Sequence, residues 1–180
     1  KVHKYLRMTL DFTTLKTVKV TMLEYVDEII ESWDKACSEL DDGYKAVSGR
    51  KRIATAAPDD LFKVDEDAVK LDQARAKAFH NITAKGIYVT KRARPDISLS
   101  IAFLTTRVKE LDIDNWRKLC HLVEYLCSTR GLPLILAAND TGVLSWVAAG
   151  SVGYTGPTGS IQFNDGLGGL TGFTGLYYTS

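Results

Sequence analysis

The chain has 180 residues, with 23 Lys and Arg against 22 Asp and Glu for a formal net charge of +1. That length suits one domain, or one domain with an appendage, and excludes two large ones. The near-neutral balance argues neither for nor against a nucleic-acid partner, so the distribution of charge along the chain has to decide.

Three cysteines, Cys37, Cys120 and Cys127, are an odd number, and the last two stand two helical turns apart, too far to bridge. No zinc-ligand spacing is present, His3, His80 and His121 are scattered, and no apolar run approaches 18 residues. These features predict a reduced intracellular compartment, cytoplasmic or nuclear, with no structural metal and no membrane partner. The chain opens on Lys1 in strand-like sequence, as a piece of something longer would.

From Tyr5 to Phe12, Met8, Leu10 and Phe12 alternate with Thr9 and Asp11, and Val18 and Val20 repeat the pattern after a polar break; this predicts a β-hairpin. Thr21 stands three residues ahead of Glu24, the spacing of a capping box, and Met22, Val26, Ile29, Ile30 and Trp33 form a helical stripe, so a helix is expected from about Met22 to Ala36. Between Ser38 and Leu71 the periodicity dissolves, which predicts a long mobile connection. Asp72 is a candidate N-cap for a second helix with Phe79, Ile82, Gly86 and Val89 on one face, although a glycine within a helix costs roughly 1 kcal/mol relative to alanine.

The stretch Lys91 to Glu110 organises the rest. The basic turn Lys91-Arg92-Ala93-Arg94 runs into Pro95 and Asp96, which suit a first helical turn, and Ile97, Ile101, Leu104, Val108 and Leu111 then lie on one face. A further helix starts at Asp112 or Asp114, carries Trp116, Leu119, Val123 and Leu126, and is expected to end at Gly131 as a left-handed cap. Leu132 to Ala138 and Val143 to Ala148 read as two strands joined by a turn at residues 139–142. From Gly150 onward composition changes: nine of the fourteen glycines fall in residues 150–180, where Asp165 is the only charged residue. This predicts a disordered tail that does not belong to the same fold.

Three separated segments, KYLRMTLDF, AFHNITAKGIYVTKRARPDISLSIAFLTTRV and DNWRKLCHLVEYLCSTRGLPLIL, together resemble the reverse transcriptase of Ty1/copia-type retrotransposons, in the part that follows the polymerase active site. The resemblance covers about Lys1 to Val147. Tyr5-Leu6-Arg7-Met8 corresponds to the primer-grip hairpin, Ala93-Arg94-Pro95-Asp96-Ile97 to a thumb-helix start, and Trp116 with Tyr125-Leu126 to the helix leading toward the ribonuclease H domain. Together with the patterns above, it gives an expected α+β fold: a primer-grip-like hairpin over residues 1–20, a three- to four-helix thumb and connection over 21–131, and a second hairpin over 132–149 at a truncated ribonuclease H boundary, followed by the Gly-rich disordered tail over 150–180, which the resemblance does not cover. Residues 156–164 of the tail are similar, more weakly, to low-complexity repeats of viral tail fibres.

The resemblance implies an RNA-directed DNA polymerase acting on RNA–DNA or DNA duplex, with Mg2+ as the parent polymerase's cofactor and an upstream palm as partner. A thumb holds duplex by its phosphates, so Tyr5, Leu6, Arg7, Lys85, Lys91, Arg92, Arg94 and Arg107 are the candidate nucleic-acid contacts. Arg94, just before a helix start, suits a clamp on a neighbouring carboxylate equally well. Three departures bear on activity: no Tyr-x-Asp-Asp turn is present, Arg7 replaces a glycine, and Ala148 replaces the first ribonuclease H aspartate. Asp41-Asp42 and Asp59-Asp60 lack flanking strands and read as loop acids. The chain alone is therefore expected to bind rather than catalyse, with no catalytic residue and no cofactor of its own. A non-catalytic nucleic-acid-binding remnant, or a decayed element with no selected function, stays open as an alternative.

Overall fold

The computed structural model describes residues 1–41 and 44–138, together with the backbone of 144–146, 161–164 and 170–173. It is an α+β fold in which an antiparallel sheet covers one end of a helical bundle, as the sequence predicts. Strands β1 (Val2–Tyr5), β2 (Met8–Asp11) and β3 (Thr17–Thr21) meander, and β3 then pairs with β4 (Leu134–Ala138), which pairs with β5 (Leu144–Trp146). The registers Val18↔Leu136 and Val20↔Leu134 join the first and second hairpins into one sheet. The expected first hairpin also gains a strand: Tyr5 faces Met8, so Leu6 and Arg7 form a two-residue turn with φ of 47° and 66°. Positive φ at both central positions gives such turns the twist that matches the flanking strands.

The bundle contains α1 (Leu23–Leu40), α2 (Gln73–Thr90), α3 (Ser98–Thr106) and α4 (Ile113–Ser128). Val18 and Val20 on the inner face of β3 join Tyr25, Val26, Ile29, Ile30, Trp33 and Cys37 of α1 in the core. The capping box does not form. Thr21 is still paired with Thr9 in the sheet, Met22 takes the N-cap position without a side-chain bond, and the Glu24 carboxylate accepts from Lys4 at 2.7 Å. α1 also runs one turn beyond its expected end, to Leu40.

The connection is laid against the helices. Val47 and Leu61 are buried, Asp34 accepts from the Tyr44 hydroxyl at 2.7 Å and from Val47 N–H at 3.1 Å, and Ser100 Oγ donates to the Ala56 carbonyl at 2.9 Å. Its buried apolar residues are single rather than periodic, so no pattern announces them. A short bridge between Lys70 and Asp112 brings the starts of α2 and α4 together. Asp72 caps α2 through Arg75 N–H and Asp112 caps α4 through Asn115 N–H, both at 2.8 Å.

Gly86 has a packing reason. A Cβ there would lie 2.3 Å from Ile101 Cδ1, so the Ile101 side chain of α3 packs into the space the glycine leaves open. Pro95–Ile97 forms a 3-10 turn, and α3 proper begins at Ser98 and ends at Thr106, leaving Val108 and Leu111 in the segment beyond it. At the other joint Gly131 is not left-handed; α4 ends at Ser128, where the Thr129 N–H donates to the Tyr125 carbonyl at 3.0 Å. The turn expected at 139–142 lies outside the described residues, as does Ala148. Within the Gly-rich tail, β6 (Ile161–Asn164) and β7 (Leu170–Phe173) pair antiparallel, and the remainder lies outside the described residues. Among the described residues no helix is long and apolar enough to cross a membrane.

Candidate nucleic-acid interface

The helices alternate in direction, so the C-terminus of α2 and the N-terminus of α1 meet beneath the Leu6-Arg7 turn. The Tyr88 hydroxyl of α2 donates to the Leu6 carbonyl at 3.1 Å and fixes the turn to the bundle. Above that bond four side chains form a continuous stack. The Arg7 guanidinium lies 4.9 Å from the Tyr25 ring centroid, the Tyr25 and Tyr88 rings are 5.0 Å apart and tilted by 46°, and the Arg92 guanidinium lies 3.6 Å from the Tyr88 centroid. Cations over aromatic faces are attracted by the ring quadrupole, and each layer also restrains its neighbour. Burial, followed by the nearby Glu28 carboxylate, pushes the Tyr25 hydroxyl above the usual tyrosine range, so it stays protonated and neutral within the stack.

Tyr5 and Leu6 project from the turn, 61% and 51% exposed. Lys91 is exposed at the C-cap of α2, where a cation complements the helix dipole. Lys85, one and a half turns earlier, donates to Ser32 Oγ of α1 at 2.7 Å. Six of the eight expected contacts, Tyr5, Leu6, Arg7, Lys85, Lys91 and Arg92, therefore gather where the hairpin meets α1 and the end of α2.

Two do not. Arg94 is only 2% exposed, and its donors are committed: Nε and Nη2 to Asp96, at 2.9 and 2.8 Å, and Nη1 and Nη2 to the carbonyl and hydroxyl of Thr129, at 3.1 and 2.6 Å. The Tyr125 hydroxyl completes the network by donating to Asp96 at 2.8 Å. A guanidinium so enclosed offers nothing to a phosphate, and Arg94 is the carboxylate clamp rather than a surface contact. Arg107 sits at the far end of α3, half-buried and 3.7 Å from Glu110, separated from the cluster by the length of that helix.

Sequence reasoning passed over Tyr25, Tyr88 and Glu28. The signal for part of the site was present, since Tyr88 and Arg92 stand at the i, i+4 spacing that brings side chains together on a helix. The contact between Tyr25 and Tyr88 crosses two helices and has no local signature.

Neither thiol chemistry nor a metal centre is built elsewhere among the described residues. A cavity of about 430 Å³ lies between the C-terminal half of α1 and the N-terminal half of α4, where Trp33 and Trp116 stack at 4.6 Å. Burial raises the Cys37 thiol to about 11 and the Cys120 thiol to about 12, so neither is a thiolate nucleophile near neutral pH. Among the described residues no three His, Cys, Asp or Glu side chains are placed to hold a metal ion, and Asp60 is engaged by Arg117 at 2.5 Å. The Mg2+ of the resembled family finds no fit in these side chains, and no catalytic step is assigned to them. Comparison with family models, with curated proteins and with solved structures gives no match.

Proposed function

We propose that residues 1–138 are the primer-grip, thumb and connection segment of a copia-type RNA-directed DNA polymerase, and that they hold a primer–template duplex without carrying catalytic carboxylates. The observation that carries this reading is the Arg7–Tyr25–Tyr88–Arg92 stack. It places a hairpin turn and the cationic end of a helix on one surface, joined by a hydrogen bond. A thumb needs that combination: backbone phosphates are met by guanidinium and ammonium groups, while the turn next to them sets the register of the primer strand. Tyr5 and Leu6, exposed beside the cations, supply apolar surface for sugars or bases. In this reading the phosphoryl-transfer chemistry belongs to a polymerase palm, and the contribution of these residues is position and charge.

The test is binding of the full chain to an RNA–DNA hybrid across a salt series, beside a Lys91→Ala/Arg92→Ala variant. Expected is a log affinity that falls linearly with log salt, with a slope that shrinks in the variant by up to about one unit for each phosphate no longer neutralised. Arg94 is left intact because its removal would disturb folding. No binding at low salt, or a slope the variant leaves unchanged, would overturn the reading.

A further inference from the structure

Two cations of this surface share one anion. Glu28 follows Tyr25 by three residues on α1 and precedes Ser32 by four, so all three occupy the stripe that faces the hairpin turn and α2. Its Oε2 accepts from Arg7 Nη2 at 2.6 Å, and its Oε1 lies 3.4 Å from Lys85 Nζ. Lys85 in turn donates to Ser32 Oγ at 2.7 Å. A guanidinium and an ammonium thus converge on the two oxygens of a single carboxylate, while the Ser32 hydroxyl, which donates to the Glu28 main-chain carbonyl at 2.6 Å, holds the ammonium in place. That carboxylate is 38% exposed and the Arg7 side chain 55%, so the pair sits at the surface and not in the core.

A pair of oxygens bearing one negative charge, with a fork-shaped donor on one side and a compact cation on the other, has the recognition chemistry of a phosphodiester's non-bridging oxygens. Placement strengthens the point. Arg7 occupies a left-handed position, φ 66°, where glycine would meet no steric penalty and an arginine does. Of the neighbouring charges, Glu24 is engaged by Lys4 and Arg92 lies on Tyr88, which leaves Glu28 as the anion between Arg7 and Lys85.

We propose that Arg7 and Lys85, the latter held by Ser32, form a binding site for a backbone phosphate of the duplex, and that Glu28 fills it in the free chain until the phosphate displaces it. This rests on the proposed function above and adds a definite site and a built-in competitor to it. Glu28 then acts as a threshold: a ligand must bring phosphate dense enough to outcompete an anion already in place. That favours nucleic acid over isolated small anions.

The experiment adds Glu28→Gln, Arg7→Ala and the double variant to the hybrid-binding salt series, each checked for folding by thermal melting. Glutamine keeps the shape of Glu28 and removes its charge. Expected is a gain of about fivefold in affinity at low salt, the scale of one exposed ion pair released. The salt slope should also steepen by up to about 0.9, the amount for one more phosphate neutralised. Arg7→Ala should weaken binding and cancel the gain in the double variant. Tighter binding by Glu28→Gln than by the unmodified chain supports the site. If Glu28→Gln binds no more tightly while Lys91→Ala/Arg92→Ala still weakens binding, the site is overturned and the duplex-binding reading survives. If no variant binds at low salt, both fall.

Discussion

Arg92 and Arg94 stand two residues apart in one basic turn, yet they belong to different parts of the molecule. Arg92 lies flat on the Tyr88 ring at the surface and donates to the Tyr88 carbonyl at 3.1 Å. Arg94 is enclosed, with Asp96 and Thr129 taking its donors and the Tyr125 ring 5.6 Å away. The divergence begins in the backbone. The N–H groups of Arg92, Ala93 and Arg94 all point to the Val89 carbonyl, at 3.0 to 3.2 Å, so the chain winds tightly over the end of α2, leaving Lys91 and Arg92 on the outer side and turning Ala93 and Arg94 inward. A run of like charges is therefore not one functional unit. Here its first half faces solvent, and its last member ties α3 to the C-terminus of α4.

The largest effect expected from this contrast is at Arg94. Arg94→Ala removes a buried guanidinium and its bonds to the partly exposed Asp96 and to Thr129, and should destabilise the protein by about 3 kcal/mol in urea unfolding. Arg92→Ala removes a half-exposed cation–π contact and should cost less than about 1 kcal/mol. Arg94→Lys should recover little, since one ammonium cannot reproduce a fork that reaches both Asp96 and Thr129. Equal costs for the two alanine variants would erase the distinction between the inner and outer arginine.

A smaller effect is expected at Tyr125, which extends the inner network. Tyr125→Phe removes the donor to Asp96 and should cost about 2 kcal/mol, the scale of a hydrogen bond to a charged group. The pH dependence has a definite sign. Burial first, and then the hydrogen bond to Asp96, raise the Tyr125 hydroxyl above 10.0, so its contribution is fully present below pH 10 and is lost as pH rises through the folded-state value. Unfolding free energy measured from pH 8 upward should decline above pH 10, and Tyr125→Phe should flatten that decline.

Local pattern made much of this fold legible. The stripe Phe79, Ile82, Gly86 and Val89 is buried as its spacing predicts, and Asp72 and Asp112 cap their helices, because helix faces and caps are written within a few residues. The glycine that weakened α2 on propensity alone is explained only by Ile101 on another helix. The pairing of Val18 with Leu136 spans most of the chain, and strand alternation says which face is apolar, not which strand will lie alongside. The candidate site divides the same way. Its cations were visible as charge, whereas the burial of Arg94 and the tyrosines beneath Arg7 and Arg92 depend on contacts between elements distant in sequence.

The smallest effect on stability is expected at Arg7, and it separates function from folding most sharply. In Arg7→Gly the turn residue at φ 66° no longer carries a Cβ, which relieves roughly 1 kcal/mol of left-handed strain. Against this stand the exposed ion pair with Glu28, about 0–1 kcal/mol, and the contact with Tyr25, about 0.5–1 kcal/mol. These contributions largely offset one another, so the unfolding free energy in urea should shift by no more than about 1 kcal/mol, while affinity for the RNA–DNA hybrid falls. On that outcome, the arginine at a position suited to glycine would be accounted for by what its guanidinium binds. A stability loss above about 2 kcal/mol would instead make Arg7 a structural residue of the same kind as Arg94, and the outer cluster would lose its claim to be a binding surface.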